Sequence, residues 1–243
     1  MVKGDEKDML NEKHIIITGA AGGIAEPTIK RLHSAGCRLH LIDIEEERLA
    51  SVAAGFEGAT YAVSTLETPE ACRAALPKGD DQINGVVHLA GIFVAHGLSD
   101  RAIYDATLAA NATNAFDLLG VLEPRLADGG SVVLVSSLAF MSGAADHPAY
   151  SMSKGAIVGL TRSLSKKWGP KGVRVNALAP GIIDTAMPAD IIAERGEALL
   201  ARTPLGRFGS ADDVAGPIEF FLSDASSFIT GQTIAVDGGI VNR

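Results

Sequence analysis

Cysteine is almost missing from this chain: Cys37 and Cys72 are the only two, in no CxxC pair and no cluster with histidine. That count and spacing exclude a disulfide framework and give no sign of a metal site, so a reducing compartment is expected. Aromatic residues are scarce at 5%, with a single tryptophan. Positive charge is the minority, 21 Lys and Arg against 29 Asp and Glu, for a net charge of −8. Such a balance suits neither a nucleic-acid backbone nor an anionic membrane as the main partner. No apolar run reaches the ~18 residues of a membrane span. The opening MVKGDEKDMLNEK is charged and lacks the apolar stretch of a secretory signal, so a cytoplasmic location is expected. Repeats, low-complexity tracts and linker-like stretches are also absent, and residues 1–243 read as a single domain.

What the chain has in quantity is small and aliphatic. Hydrophobic residues make up 47% of it, dominated by Ala, Ile, Leu and Val, beside 27 glycines. That composition suits a buried parallel sheet covered by helices. Short apolar runs recur at His14–Thr18, Arg38–Ile42, Thr60–Val63, Gly85–Leu89, Ser131–Val135, Val173–Leu178 and Thr233–Val236. Helical patterns separate them, including a long one around Leu108–Leu122 and another through Tyr150 to about Lys167. Strands alternating with helices predict an α/β doubly wound Rossmann fold, a mostly parallel seven-stranded sheet with helices on both faces. Ligands in such sheets collect beyond the carboxyl ends of the strands.

The first strand runs into Thr18-Gly19-Ala20-Ala21-Gly22-Gly23-Ile24-Ala25, which opens a helix. Glycines there allow a sharp turn and close approach of the backbone to a pyrophosphate, which meets the helix amides. The second strand ends in Asp43, whose carboxylate can accept hydrogen bonds from ribose hydroxyls and repels a 2′-phosphate. No Arg or Lys stands in the glycine turn or among Ile44–Glu47, so NAD is favoured over NADP. Asp43 can equally cap the helix that follows, and the two roles are compatible.

Tyr150 and Lys154 stand four residues apart, on one face of a helix. A nearby cation favours a phenolate, which predicts a lowered tyrosine pKa and a general acid/base at an alcohol or carbonyl oxygen. Ser137 lies just past the fifth strand and Asn111 in the long helix before it. Together with RVNALAPGIIDT and TGQTIAVDGG further on, these motifs resemble the classical short-chain dehydrogenase/reductase family across essentially the whole chain.

The resemblance implies Tyr150 as catalytic acid/base, Lys154 lowering its pKa and bonding the nicotinamide ribose, and Ser137 polarising the substrate oxygen. Asn111 would anchor a water in a proton relay to Lys154. Gly19, Gly22, Gly23 and Ile24 would cradle the dinucleotide, with Asp43 on its adenosine ribose and Ser64 and Thr65 near the adenine. Ala90 and Gly91 would form the wall beside that ribose. Pro180 and Gly181 would shape the turn beneath the nicotinamide, and Ile183 and Thr185 would contact its carboxamide. The chain departs from the family pattern at Ala25, at His88-Leu89, where two asparagines are usual, and at Ser64, where an aspartate is common. His88 is expected to be a buried structural residue.

Residues 185–207 are long enough for a helical lid over the cofactor. Phe93, Leu138, Phe140, Ile182 and Met187 are expected around the substrate, with Ile191, Ile192, Leu199 and Leu200 as further candidates from the lid. The mixture points to a modest, largely apolar secondary alcohol or ketone. The resemblance also implies a homo-oligomer, a tetramer or dimer. Two other readings stand beside this one: a 3-oxoacyl-thioester reductase of the same family, and a catalytically idle dinucleotide-binding regulatory protein.

Overall fold

A parallel strand covered on both faces needs apolar side chains pointing both ways. The three isoleucines of HIIIT meet that need, and all five residues of this strand are buried. The computed structural model describes residues 10–187 and 189–241, apart from the side chain of Ile191. The charged opening segment 1–9 and the lid residue Ile191 as a pocket candidate therefore lie outside the described residues. In chain order the elements are β1 (His14–Thr18), α1 (Ala25–Ser34), β2 (Arg38–Asp43), α2 (Glu46–Ala54), β3 (Thr60–Val63) and α3 (Pro69–Ala75). Then come β4 (Ile83–His88), α4 (Arg101–Leu108), a π-helical turn (Ala109–Thr113), α5 (Asn114–Leu122), β5 (Leu126–Val135), α6 (Ala139–Ser142) and α7 (Pro148–Trp168). The remainder is β6 (Arg174–Pro180), α8 (Ala189–Ala201), α9 (Ala211–Leu222) and β7 (Thr233–Val236).

The sheet order is β3-β2-β1-β4-β5-β6-β7. Every neighbouring pair is parallel. The chain winds outward from β1 to β3, returns to the centre at β4, and winds the other way. This is a doubly wound Rossmann fold, with its crevice at the carboxyl ends of the paired strands β1 and β4, whose following connections run in opposite directions along the sheet. Alternating side chains divide the core. Ile15, Ile17, Leu39, Leu41, Val87 and Val133 meet α1, α2 and α9 on one face. Ile16, Ile42, Val86, Val132, Leu134 and Val175 meet α3, α5 and α7 on the other.

Two differences from the expected elements bear on the site. The helix expected over Leu108–Leu122 is broken by the π-helical turn, which carries Asn111. Such a turn widens the helix by one residue, which apolar periodicity does not reveal. Strand β6 runs two residues past Leu178, because Pro180 still pairs with Val236. Proline tolerates this at a strand end, where its missing N–H breaks no ladder bond.

Candidate active site

The glycine turn is shaped by close approach. Gly19 has φ +66°, and a side chain there would drive its Cβ to 2.6 Å from the Ala90 nitrogen. Gly23 is pressed by Thr185, whose Cβ lies 2.8 Å from where a Gly23 Cβ would stand. The start of the lid therefore rests directly on the turn. Asp43, at the end of β2, accepts from the Ala21 amide at 2.9 Å with Oδ2. Its Oδ1 accepts from the Ile44 and Glu45 amides at 2.7 and 3.1 Å. The carboxylate ties β2 to the turn and leads into α2, and Oδ2, with one bond made, has further capacity as an acceptor. Ser64 continues the same rim: its amide donates to the Asp43 carbonyl at 3.0 Å, and its hydroxyl accepts from Leu66 N–H at 3.2 Å.

Across the crevice, Tyr150 and Lys154 occupy consecutive turns of α7, both buried. The Lys154 ammonium donates to the Val135 carbonyl at 2.9 Å and sits 5.6 Å from the centre of the Tyr150 ring. Burial pulls that ammonium down to about 8. Burial also holds the Tyr150 phenol above its ordinary range, while the Ser137 hydroxyl beside it acts in the opposite direction. The lowered tyrosine pKa expected from the sequence is thus absent from the protein chain alone. Both groups are desolvated, and desolvation favours the neutral form of each. Phe93 meets the Tyr150 ring edge-on, centroids 4.7 Å apart, and stacks on His147 at 3.8 Å.

The two neighbouring serines are sorted by their bonds. Ser136 is buried and donates to the Lys154 carbonyl at 2.7 Å, so it staples β5 to α7. Ser137 accepts from Ala139 N–H at 3.2 Å and lines the cavity beside the Tyr150 phenol, with which its hydroxyl interacts. Asn111 is fully buried. It accepts from Ile92 N–H at 2.7 Å and donates to Ile92 O at 2.9 Å and Ser153 Oγ at 3.1 Å. With both donors engaged, its side chain has only acceptor capacity left for a water. A Cβ on Gly91 would meet Asn111 Oδ1 at 2.9 Å and Lys154 Nζ at 3.4 Å, so only glycine fits against both groups.

A cavity of about 400 Å³ collects most of these residues. Ile24, Gly91, Phe93, Ser137, Leu138, Tyr150, Lys154, Pro180, Gly181, Ile182, Ile183, Thr185 and Met187 all line it. Gly19, Gly22, Gly23, Asp43, Ser64, Thr65 and Ala90 do not, and Asn111 lies behind Gly91. Phe140, expected at the substrate, is not in the wall: α6 presents Ala139 and Ser142 instead, followed by Gly143, Ala144 and Ala145. From the lid candidates Leu199 reaches the cavity, whereas Ile192 and Leu200 do not. Sequence reasoning missed Arg195, Arg202 and Ile240. The signal for the first two was available: Arg195, Leu199 and Arg202 follow the i, i+4, i+7 spacing of one helical face. Among the described residues no group of His, Cys, Asp and Glu is arranged to hold a metal, and no helix is long and apolar enough to cross a membrane.

A family model described as enoyl-(acyl carrier protein) reductase matches residues 19–241. The chain is 35% identical to a short-chain dehydrogenase/reductase, aba4, of Botryotinia fuckeliana, over 93% of this chain and 96% of that one. The chain belongs to the short-chain dehydrogenase/reductase family. It is also 32% identical to an L-rhamnose 1-dehydrogenase (NAD(P)(+)) of Azotobacter vinelandii, over 96% of this chain and 98% of that protein. Among solved structures, a short-chain dehydrogenase/reductase (glucose/ribitol dehydrogenase) from Brucella melitensis superposes with a TM-score of 0.91 at 32% identity. That match covers 97% of this chain and all of the other. The protein is therefore an oxidoreductase of this family, whose members bind a nicotinamide dinucleotide. Its residues fit such a group: the glycine turn leaves backbone exposed at a helix start, and Gly91 leaves open the space beside Lys154.

This short-chain dehydrogenase/reductase handles its unusual His88 by burial. His88 pairs with Thr18 across β1 and β4, and its Nδ1 lies 2.8 Å from Thr18 Oγ1. Its Nε2 comes toward the Asn114 side chain, yet neither Nε2 nor Asn114 Oδ1 completes a well-formed hydrogen bond. Burial, followed by the charge of Lys154, drives the imidazole down to about 3. The folded protein keeps His88 neutral, while the unfolded chain takes up a proton near pH 6.5. Stability therefore falls as pH drops from 6.5 toward 3, by about 1.4 kcal/mol per pH unit from this residue alone. Urea unfolding at pH 7 and pH 5 is expected to show a smaller acid loss for His88→Asn than for the parent, and equal losses would refute the assignment.

Proposed function

We propose that this protein is an NAD-dependent dehydrogenase that interconverts a secondary alcohol and the corresponding ketone, with Tyr150 as the acid/base. The observation that carries this reading is the convergence of the Tyr150 phenol and the Ser137 hydroxyl on one cavity floored by Lys154. Gly19, Gly22, Gly23 and Ile24 would hold the pyrophosphate, Asp43 the adenosine ribose, and Lys154 the nicotinamide ribose. Ser64, Thr65, Ala90 and Gly91 would border the adenosine half; Pro180, Gly181, Ile183 and Thr185 would border the nicotinamide. When bound, the nicotinamide supplies the hydride acceptor or donor.

In the oxidative direction Ser137 would donate to the substrate oxygen and so fix the carbinol carbon in the cavity. Tyr150, as phenolate, takes the hydroxyl proton while the carbon gives up hydrogen with its bonding pair. The products are the ketone, the reduced cofactor and one proton. Lys154 and a water on Asn111 return that proton from Tyr150 to solvent. Reduction reverses each transfer, with Tyr150 protonating the carbonyl oxygen.

NAD is assigned on the Asp43 carboxylate. Purified protein is expected to give a kcat/KM for NAD at least tenfold above that for NADP. Asp43→Asn is expected to narrow the gap by about tenfold or more, the size of one charge-assisted hydrogen bond. Equal use of both cofactors by the parent protein would overturn the NAD assignment. The same reading carries a homo-oligomer, tetramer or dimer, formed on α5 and α7, where Phe116 and Met152 stand 65% and 53% exposed. A mass of one 25.1 kDa chain in solution would refute it.

A further inference from the structure

We infer that the substrate carries a carboxylate, gripped at the mouth of the cavity by Arg202 with Arg195. This rests on the dehydrogenase reading and revises the apolar substrate expected from the sequence. Acidic residues outnumber basic ones in the chain, 29 to 21, yet the cavity wall reverses that balance. Among the described residues its charged members are Lys154, Arg195 and Arg202, and no Asp or Glu lines it. Lys154 lies on the floor, committed to Val135 O, so the two arginines are the cations that face an incoming molecule.

Their partners leave them available. Arg195 has a single long contact, 3.4 Å to Asp146, with both side chains about two-thirds exposed. Arg202 forms no ion pair among the described residues. Its backbone is nevertheless well fixed. Arg202 N–H bonds Leu199 O at 3.1 Å, Leu205 N–H bonds Gly238 O at 3.1 Å, and Thr203 packs against Gly238. The carboxylate on that neighbouring loop, Asp237, is taken up by the Gly239 and Val241 amides at 2.9 Å each. A planar guanidinium held without an acid at a cavity mouth matches a planar carboxylate by paired hydrogen bonds. Because the nicotinamide must share the 400 Å³ cavity, the acid is small.

The test pairs lactate, β-hydroxybutyrate and γ-hydroxyvalerate with their methyl esters, with glycerol phosphate as the phosphate arm, at saturating NAD. At least one acid is expected to exceed its ester about 10- to 100-fold in kcat/KM, and Arg202→Gln is expected to erase that ratio, with partial return in Arg202→Lys. That acid is also expected to raise the Tm of the parent protein by several degrees and to leave that of Arg202→Gln unmoved. Esters turned over as fast as acids would sink the inference and leave the dehydrogenase reading standing. An acid-dependent Tm rise without turnover of any alcohol would do the reverse. Preference for glycerol phosphate over every acid would overturn the carboxylate. A fall in NADH affinity matching the loss of the acid:ester ratio would assign the arginine to the cofactor pyrophosphate instead.

Discussion

Tyr150→Phe is expected to lower kcat for alcohol oxidation by about 10²–10⁴-fold, the usual contribution of a positioned acid/base. The substitution removes one oxygen and keeps the ring, so the edge contact with Phe93 at 4.7 Å is preserved. NADH affinity, read by fluorescence, is expected to change little compared with kcat. Burial holds the phenol above its ordinary range. Oxidation by the parent enzyme, which needs the phenolate, is therefore expected to climb through the neutral and alkaline range, while reduction, which needs the phenol, does not. A Phe variant as fast as the parent would end the proposed mechanism.

Lys154→Met is expected to separate activity from stability. Burial lowers the Lys154 ammonium from 10.5 to about 8. Below pH 8 the folded protein carries a buried charge that the unfolded chain solvates freely. At about 1.4 kcal/mol per pH unit, that is a handicap of roughly 3 kcal/mol near neutrality. Between pH 8 and 10.5 the unfolded chain keeps its proton while the folded one releases it, so stability rises with pH across that window. Methionine removes the charge and fills similar space, at the cost of leaving Val135 O without its donor. An unpaired carbonyl costs about 1–3 kcal/mol, so the variant is expected to gain on the order of 1 kcal/mol in urea unfolding at pH 7. Its kcat is expected to fall at least 10²-fold, because the phenolate loses its neighbouring cation. A variant that is both inactive and less stable than the parent would mean that Lys154 is mainly a structural strut.

The apolar strands and the glycine turn were legible because their physics is local. β1, β3 and β7 have the bounds expected from their runs, and β2 extends one residue further, to Asp43. What escaped was set by contacts distant in sequence. The π-helical turn carries Asn111, whose side chain bonds Ile92 and Ser153, partners 19 and 42 residues away. The charge of Lys154 predicts a lowered tyrosine pKa, but burial, visible only in three dimensions, raises it. Phe140 was placed by its position after a strand end, but the short helix α6 turns Ala139 and Ser142 to the cavity in its place. Arg195 in α8 and Arg202 just past its end reach the cavity only because the fold lays this segment over it, a placement that the sequence pattern alone does not reveal.

One tie near the lid has a wider consequence. Ile183 and Gly209 form a parallel bridge, with Asp184 N–H to Gly209 O at 2.7 Å and Gly209 N–H to Ile182 O at 3.0 Å. Just inside it, Arg207 grips Asp213 with two hydrogen bonds of 2.6 and 2.8 Å. Within that stem the segment is pinned twice more, by Thr185 against the Gly23 turn and by Leu205 N–H to Gly238 O at 3.1 Å, which leaves the stretch around α8 as the part whose length is free of the sheet. Doubling such a loop costs only about 0.6 kcal/mol in closure entropy. Changes of length around α8 are therefore cheap for the fold, so this stretch, held at both ends, can be exchanged like a cassette while the contacts of Thr185, Thr203 and Leu205 stay in place.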